Sequence, residues 1–255
     1  MKVFSEYAEY YDLFYKDKNY KAETSYVLSI IQRFAPGAKH LLEFGCGTGN
    51  YSRCLVDQGY DLIGIDLSPA MVRQAESRLK TSGGGHPAVV FYTGDIRTYR
   101  DGQKYDAILS LFHVISYQTT NEDLEATFRT ARNHLEVGGL FVFDCWYGPG
   151  VLSDPPKNPI KTVADTNLKA TRRTTSILMP NRNLVRVHFD VLLEDTDSGF
   201  ITELSEDHDM RYLFTPEILE LAALTGFETC AAYRWLTEQD PDSDTWYACF
   251  VLRAN

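Results

Sequence analysis

A glycine-rich turn is the part of the sequence whose residue types and spacing most clearly indicate chemistry. Residues 41–49 read Leu-Leu-Glu-Phe-Gly-Cys-Gly-Thr-Gly, so an apolar stretch leads directly into the glycines. Glycine tolerates positive φ angles and lets a ligand approach the backbone, and a helix that begins behind the turn offers free N–H groups. A dinucleotide-binding turn would carry a third glycine where Asn50 stands. The spacing therefore favours a cofactor that has no pyrophosphate.

Two aspartates follow the turn at positions that suit a nucleoside. Asp66 ends a predicted strand 21 residues after Gly45, where a carboxylate can accept both hydroxyls of a ribose. Asp95 follows the next predicted strand and can accept a hydrogen bond from an adenine amino group, while Ile96 packs on the ring. Leu67, beside Asp66, is assigned to the same site. Either aspartate alone is typical of a solvated loop, but the glycine turn and both aspartates in register predict a nucleoside site.

These residues need a frame of alternating strands and helices to position them. Ser68 followed by Pro69 is suited to beginning one of the helices, and the glycine-rich residues 82–85 are suited to ending it. The predicted strands of this part are residues 40–44, 60–66, 88–92, 105–111 and 140–144. Their alternation with helices predicts a mostly parallel sheet with helices on both faces, which is an α/β fold.

The pattern changes after Trp146, which indicates an insertion. Four prolines within residues 148–159 predict an irregular connection. Strand-like stretches follow at residues 168–178, 184–193 and 200–214, and again at 227–235 and 246–253. We interpret the first three as an antiparallel meander and the last two as an antiparallel C-terminal hairpin.

This organisation predicts three parts of the chain. They are an N-terminal helical lid (1–35), an α/β domain (36–147 and 214–255) and an inserted β meander (148–213). We expect the meander to serve substrate binding or dimerisation.

The α/β part resembles the class I S-adenosylmethionine-dependent methyltransferases. The segments that carry the resemblance are EFGCGTG, GIDLS, TGDI and EVGGLFVFD, in that order. The resemblance implies a Rossmann-like class I methyltransferase fold, S-adenosylmethionine as cofactor and S-adenosylhomocysteine as product. It also implies that Glu43 helps to hold the glycine loop and the methionine end of the cofactor. By the same resemblance the backbone of Gly45, Cys46 and Gly47 contacts the methionine, and Leu111 packs against the cofactor.

A second set of segments is similar to the amino-sugar N,N-dimethyltransferases of macrolide biosynthesis. These segments are Tyr10-Tyr11-Asp12, Lys18-Asn19-Tyr20 and residues 208–215, HDMRYLFT. The similarity implies that the N-terminal helices form a lid in which Tyr11 and Tyr20 contact the cofactor; the alternative is that these tyrosines serve amphipathic packing. The chain departs from those enzymes after predicted strand four, because Tyr117 stands where they place a histidine near the substrate amine.

Residues just beyond predicted strands four and five should line the acceptor pocket, since ligands of open α/β sheets bind beyond the carboxyl ends of strands. His113 is either a base that titrates near neutral pH or a hydrogen-bonded residue packed beside the cofactor. Tyr117 can orient an amine or accept its proton, and His208, on a predicted strand, either reaches the pocket or is structural. The residues that we assign to substrate binding are Phe112, Trp146 and Tyr147.

Composition excludes several classes of partner. The chain has 25 basic and 35 acidic residues and a net charge of -10, which argues against a nucleic-acid substrate. It has no apolar run as long as a membrane span, and its five scattered cysteines include no CxxC pair. We therefore expect a cytoplasmic protein with a small-molecule substrate, without a metal site and without nucleic-acid or membrane partners. The meander is also suited to a homodimer interface.

These observations lead to three functional hypotheses. The first is N-methylation of a small molecule, with a nucleotide-linked amino sugar as the best single candidate. An O- or C-methyltransferase acting on another metabolite would share every cofactor motif, and a non-catalytic S-adenosylmethionine-binding protein is the third alternative. A sulfonium methyl group is already activated, so positioning can supply most of the acceleration and a base is needed only for the acceptor's proton.

Overall fold

The computed structural model describes residues 8–80 and 89–255. Residues 1–7, which begin the predicted lid, and the helix end predicted at residues 82–85 lie outside the described residues, as does the first residue of the strand predicted at 88–92. The helices are α1 (Ala8–Phe14), α2 (Tyr20–Phe34), α3 (Asn50–Val56), α4 (Pro69–Lys80), α5 (Asn121–His134), α6 (Gly148–Ser153) and α7 (Thr215–Leu224). The strands are β1 (His40–Phe44), β2 (Asp61–Asp66), β3 (Val89–Thr93), β4 (Tyr105–Ser110), β5 (Leu135–Tyr147), β6 (Ile160–Ala164), β7 (Leu168–Met179), β8 (Leu184–Asp195), β9 (Ile201–Leu213), β10 (Phe227–Arg234) and β11 (Tyr247–Ala254).

The first five strands form a parallel sheet in the order β3-β2-β1-β4-β5. β1 lies between β2 and β4, with Phe44 opposite Ile65 and Glu43 opposite Leu109. The middle of β4 is fully buried, as expected for a parallel strand that is covered on both faces. The carboxyl ends of these strands lie along one edge of the sheet, and the glycine turn and Asp66 stand at that edge.

The C-terminal hairpin completes this part of the sheet. β11 runs antiparallel to β5, with Phe250 opposite Phe143, and β10 pairs with the other side of β11. A mostly parallel α/β sheet with an antiparallel C-terminal hairpin is the architecture that the sequence predicted, and it is confirmed.

The meander joins the sheet at the end of β5. β9, β8, β7 and β6 are antiparallel neighbours, and β9 pairs in parallel with β5 through Trp146 opposite Tyr212 and Tyr147 opposite Leu213. The body of β5 pairs with β11 and its tip also pairs with β9. This branching brings β9 next to the segments that follow β4 and β5, where the acceptor pocket is expected.

Two local predictions were wrong. Residues 148–159 are not wholly irregular, because Gly148–Ser153 forms the short helix α6, in which Pro149 stands near the start, where its missing N–H costs nothing. β5 begins at Leu135 rather than at residue 140. Its first residues include the exposed Glu136 and Val137, so they lack the continuous apolar pattern of the buried part. β6 also lay inside a stretch to which the sequence assigned no strand.

The helix α1 packs on the meander. Phe14 is fully buried against Val163, Ala170 and Val191, which belong to β6, β7 and β8. The helix α1 is therefore tied to the inserted strands, and the predicted lid stays a prediction. None of the helices in the described ranges is long and apolar enough to cross a membrane.

Candidate functional site

The glycine turn after β1 has the backbone geometry that its sequence requires. Gly45, Gly47 and Gly49 have φ angles of 69°, 54° and 76°, which side chains rarely adopt. A Cβ atom on Gly45 would also lie 2.5 Å from Cγ2 of Val114. The N–H groups of Gly45 and Cys46 donate to the carbonyl of Ile65 at 2.8 and 3.0 Å. Because these donors are already engaged, the backbone contacts predicted for Gly45, Cys46 and Gly47 would come from carbonyl oxygens, which suit the ammonium group of a methionine.

Asp66 stands at the end of β2 beside this turn. Its Oδ2 accepts the N–H of Gly47 at 2.9 Å and its Oδ1 accepts the N–H of Ser68 at 2.8 Å. A carboxylate has about four acceptor sites, so two further hydrogen bonds can be made. Burial raises the pKa of Asp66, and the two N–H donors oppose that shift. The side chain of the neighbouring Leu67 is 68% exposed, so it presents an apolar surface beside the carboxylate of Asp66.

Asp95 is held by an arginine. The Nη2 of Arg97 lies 2.6 Å from Oδ2 of Asp95, and the hydrogen bonds from Arg97 lower the pKa of this carboxyl group. Arg97 also bridges to Asp123 at 2.6 Å. The contact predicted between Asp95 and an adenine amino group stays a prediction, and it would have to share the carboxylate with Arg97. Ile96 is mostly buried in the core beside Ile65.

Glu43 is buried in β1 and faces α3. Its Oε2 accepts a hydrogen bond from the hydroxyl of Ser52, and burial raises its pKa to about 8. The carboxyl group is therefore mostly protonated at neutral pH. Its observed contact ties β1 to α3 behind the glycine turn, so the role of Glu43 at the methionine end stays a prediction.

An aspartate that the sequence reasoning did not assign connects α1 to the glycine turn. The Oδ1 of Asp12 accepts hydrogen bonds from Thr48 Oγ1 at 2.8 Å and Asn50 Nδ2 at 2.9 Å, and Oδ2 pairs with Arg78 of α4. We name this group, Asp12 with Thr48, Asn50 and Arg78, the lid latch. The sequence signal that could have identified Asp12 is its place directly after Tyr10 and Tyr11.

The two lid tyrosines lie near aromatic neighbours. The ring centroid of Tyr11 is 4.7 Å from that of Tyr15, and Tyr20 meets Tyr51 edge to face at 5.0 Å. Burial raises the pKa of Tyr20, so its hydroxyl stays protonated. The second contact places Tyr20 beside α3, which follows the glycine turn. The lid and the contact of both tyrosines with the cofactor stay predictions.

The segment after β4 contains strained backbone. Phe112 and His113 have φ angles of 62° and 65°, a left-handed conformation that is costly for such residues and is concentrated at functional sites. The backbone N–H of His113 donates to both oxygens of Asp144 at 3.2 Å, and its Nδ1 lies 2.5 Å from Oδ2. Tyr247 stacks on the His113 ring with centroids 4.3 Å apart. Asp144 is fully buried near the end of β5. Its hydrogen bonds with the N–H of His113 stabilise this strained turn.

The predicted catalytic residues fall into two groups. Tyr117 ends the 3-10 turn Val114–Tyr117, and its hydroxyl lies 3.0 Å from Nδ1 of His208 on β9. The Nε2 of His208 lies 3.3 Å from Oε2 of Glu206. His113 belongs to the separate pair with Asp144. The structure thus brings Tyr117 and His208 together, two residues that the sequence analysis did not relate to each other.

The predicted substrate residues surround these pairs, and Leu111 is buried below them. The ring of Phe112 meets Tyr15 edge to face at 5.2 Å, and the ammonium of Lys18 lies 4.1 Å from its centroid. Trp146 packs edge to face on Trp246, with centroids 5.3 Å apart. The hydroxyl of Tyr147, which is mostly buried, hydrogen-bonds to Thr215 at 3.0 Å. We name these three aromatic residues, Phe112, Trp146 and Tyr147, the aromatic wall, and their contact with an acceptor stays a prediction.

Comparisons with known proteins decide the family. A Methyltransferase domain model matches residues 41–139. The chain is 32% identical over 188 residues, 73% of this chain and 76% of the relative, to dTDP-3-amino-3,4,6-trideoxy-alpha-D-glucopyranose N,N-dimethyltransferase of Streptomyces venezuelae. It is 30% identical over 219 residues, 85% of this chain and 81% of the relative, to dTDP-3-amino-3,6-dideoxy-alpha-D-glucopyranose N,N-dimethyltransferase of Streptomyces fradiae. The chain belongs to the class I S-adenosylmethionine-dependent methyltransferases.

Solved structures agree with this assignment of the fold. A methyltransferase from Clostridium acetobutylicum superposes with a TM-score of 0.80 at 20% identity, covering 96% of each chain. A sugar N-methyltransferase from Streptoalloteichus gives a TM-score of 0.79 at 27% identity, covering 96% of this chain and 93% of that one. The protein is therefore a methyltransferase whose cofactor is S-adenosylmethionine, and the non-catalytic alternative is set aside.

The residues of this methyltransferase fit that cofactor. The glycine turn leaves space that a Cβ atom would fill, Asp66 retains two acceptor sites, and Leu67 offers an exposed apolar face next to it. Two ribose hydroxyls and an adenine ring match an oriented carboxylate and a flanking apolar surface. We propose that Asp66 and Leu67 hold the nucleoside, and that carbonyl oxygens of the glycine turn hold the methionine ammonium.

Proposed function

We propose that this methyltransferase methylates the amino group of a nucleotide-linked amino sugar. The observation that carries the proposal is the pair of relatives that act on dTDP-linked amino sugars, at 32% and 30% identity over most of both chains. The acceptor would bind beyond the carboxyl ends of β4 and β5, between the aromatic wall and the meander. Substrate residues in this proposal are Phe112, Trp146 and Tyr147.

The polar groups near this pocket support an amine acceptor. The hydroxyl of Tyr117 can donate its proton to Nδ1 of His208, 3.0 Å away. A hydroxyl oxygen that donates can still accept a hydrogen bond. An amine carries N–H groups that such an oxygen can accept. In this proposal Tyr117 holds the amine by an N–H, so that the nitrogen lone pair remains available for attack.

Bound S-adenosylmethionine supplies a methyl group on a sulfonium, which needs no further activation. The protein's own task is then to align the amine with the methyl carbon and to exclude water, which can contribute on the order of 7–11 kcal/mol. His113 and Asp144 would set the shape of the turn after β4, and Tyr117 would accept the proton that the amine loses.

A panel of acceptors tests the proposal. The enzyme is incubated with isotopically labelled S-adenosylmethionine and either a dTDP-amino sugar, the same sugar with hydroxyl in place of the amine, or a simple phenol, and the products are analysed by mass spectrometry. We expect one or two labelled methyl groups on the amine nitrogen. A label found instead on oxygen or carbon, with the amino sugar unmodified, would replace this proposal by the O- or C-methyltransferase alternative.

A further inference from the structure

Three polar side chains form a chain of contacts that ends at Tyr117, which the proposed function places beside the acceptor. Glu206 and His208 are two residues apart on β9 and therefore lie on the same face of the strand. Oε2 of Glu206 lies 3.3 Å from Nε2 of His208, and Nδ1 of His208 lies 3.0 Å from the hydroxyl of Tyr117. Both strand residues are buried, whereas Tyr117 is partly exposed. The sequence places Tyr117 and Glu206 almost ninety positions apart, and only the fold connects them.

The surroundings of His208 favour one tautomer. Oε2 of Glu206 lies 3.3 Å from Nε2 of His208 without the geometry of a hydrogen bond, and a carboxylate at that distance favours a proton on Nε2 by its charge. The other nitrogen, Nδ1, then presents a lone pair to the hydroxyl of Tyr117, 3.0 Å away. The state of one ring nitrogen thereby determines the state of the other.

The surroundings of the imidazole strengthen this effect. The ring of Phe189 lies 4.8 Å from that of His208, and Val187 stands directly opposite it on β8. In such apolar surroundings a buried imidazolium is costly unless a carboxylate accompanies it. Glu206 can provide that charge on one side of the ring, and Tyr117 the hydroxyl on the other.

We propose that Glu206 is a positioning residue that, through His208, makes Tyr117 the proton acceptor of the methyl-transfer reaction. The inference rests on the proposed amine acceptor. When the nitrogen gains its methyl group, one N–H bond of the resulting ammonium breaks and its proton forms a new O–H bond on Tyr117. The original hydroxyl proton of Tyr117 moves to Nδ1 of His208, and the positive charge of the imidazolium is balanced by Glu206. Deprotonation of Nδ1 by solvent restores the starting state.

A double-mutant cycle on the full-length enzyme tests the coupling. Tyr117→Phe and Glu206→Gln should each lower kcat by about 10–100-fold, the range for one proton-transfer contact, with affinity for S-adenosylhomocysteine unchanged. The double variant should be no slower than Tyr117→Phe, because Glu206 acts only through Tyr117. Losses that multiply, or full activity in Glu206→Gln, would overturn the proposal.

Asp207→Asn is the matched control. Asp207 is the next residue of β9, points to the opposite face, and contacts a different histidine, His188, at 2.8 Å. The substitution therefore makes the same change from a carboxylate to an amide beside a histidine, at the neighbouring position and on the opposite face of β9. We expect its kcat to equal that of the unaltered enzyme. A loss as large as that of Glu206→Gln would show that the effect belongs to β9 as a whole and would overturn the assignment of Glu206.

A measurement without substrate separates this inference from the proposed function. Nitrogen NMR of the protein with labelled histidine should show His208 protonated at Nε2 and not at Nδ1. In Glu206→Gln, whose amide can donate to Nε2, the ring should shift toward the Nδ1–H form. This result in an enzyme that leaves amino sugars unmodified would refute the proposed substrate but retain the positioning role. The Nδ1–H form in the unaltered protein would overturn that role whatever the substrate is.

Discussion

Asp66 is a residue whose neighbours already prepare it for a ligand. Two backbone N–H groups, from Gly47 and Ser68, hold its carboxylate in one orientation. Replacing it by alanine removes the acceptor for both ribose hydroxyls, and a hydrogen bond to a charged group is worth about 1.5–3 kcal/mol. We therefore expect Asp66→Ala to weaken binding of S-adenosylhomocysteine at least about tenfold, as measured by calorimetry.

The matched control is Asp61→Ala at the other end of the same strand. Asp61 has a half-exposed side chain beside His40, at the end of β2 opposite the carboxyl edge of the sheet. We expect its affinity for S-adenosylhomocysteine to be that of the unaltered protein. An unchanged affinity in a folded Asp66→Ala variant would remove Asp66 from the site.

Glu43 gives stability a pH dependence whose sign follows from its environment. Burial raises its pKa from 4.5 to about 8, so the folded protein keeps a proton that the unfolded chain releases above its own pKa. Stability from this group is therefore complete below about pH 4.5 and falls as pH rises toward 8, at up to about 1.4 kcal/mol per unit. Glu43→Gln, which does not titrate, should flatten the dependence of the free energy of unfolding on pH between 5 and 8.

Denaturant unfolding at several pH values measures this effect. Glu136→Gln is the control, since Glu136 is an exposed glutamate near the start of β5, and it should leave the slope as it is. Suppose the free energy of unfolding depends on pH equally in Glu43→Gln and in the unaltered protein. Then burial does not raise the pKa of Glu43 in the folded protein.

At the scale of elements, the parts that could be predicted are those with local signals. α5 carries such signals, because Thr120 accepts the N–H of Asp123 as an N-cap and the helix has an apolar face. α6 could not be predicted in the same way, since Gly-Pro-Gly is typical of a break. The partners of Asp12 are 36 to 66 residues away and the partner of Asp144 is 31 residues away, so their roles appear only when the fold brings these residues together.

The lid latch predicts a measurable coupling between α1 and the glycine turn. Asp12→Ala removes the acceptor for Thr48 and Asn50 and the partner of Arg78, each a contact to a charged group. With S-adenosylhomocysteine bound, amide exchange in residues 8–18 should become on the order of tenfold faster than in the unaltered protein. Hydrogen-exchange mass spectrometry measures this difference.

Asp17→Ala provides the comparison for the lid. Asp17 is exposed, lies just after α1 and carries the same charge. Its exchange should match that of the unaltered protein. Equal exchange in all three proteins at saturating ligand would mean that the meander alone holds α1, through Phe14.

At the scale of the whole molecule, the proposed acceptor site depends on how the meander is joined to the α/β part. Tyr117 belongs to one part and His208 to the other, so a shift between the parts would separate the pair. The division of the chain at residues 36, 148 and 214 and the homodimer expected through the meander both stay predictions. Exposed apolar residues on the meander, Ile177 and Leu192 among them, are where an interface would form.

The junction contains a position where one added methyl group has no space. Gly150 of α6 is buried against the backbone of the segment before β11, and a Cβ atom there would lie 2.1 Å from the carbonyl oxygen of Thr245. Backbone atoms cannot move aside as a flexible side chain can. Adding atoms to a well-packed site typically lowers the free energy of unfolding by about 1–3 kcal/mol. Gly150→Ala should therefore lower the free energy of unfolding by at least that amount. Gly37→Ala, where nothing lies within 4 Å of the added Cβ, should change it by less than about 0.5 kcal/mol.

The same variant also tests whether the two parts act together. Gly150 follows Trp146 and Tyr147 closely in the chain and does not belong to the glycine turn. Gly150→Ala should therefore reduce turnover while it keeps its affinity for S-adenosylhomocysteine at temperatures where it is folded. Turnover and calorimetry on Gly150→Ala and Gly37→Ala make the comparison. If Gly150→Ala is as stable and active as Gly37→Ala, α6 adapts freely, and the position of the meander does not control the pocket.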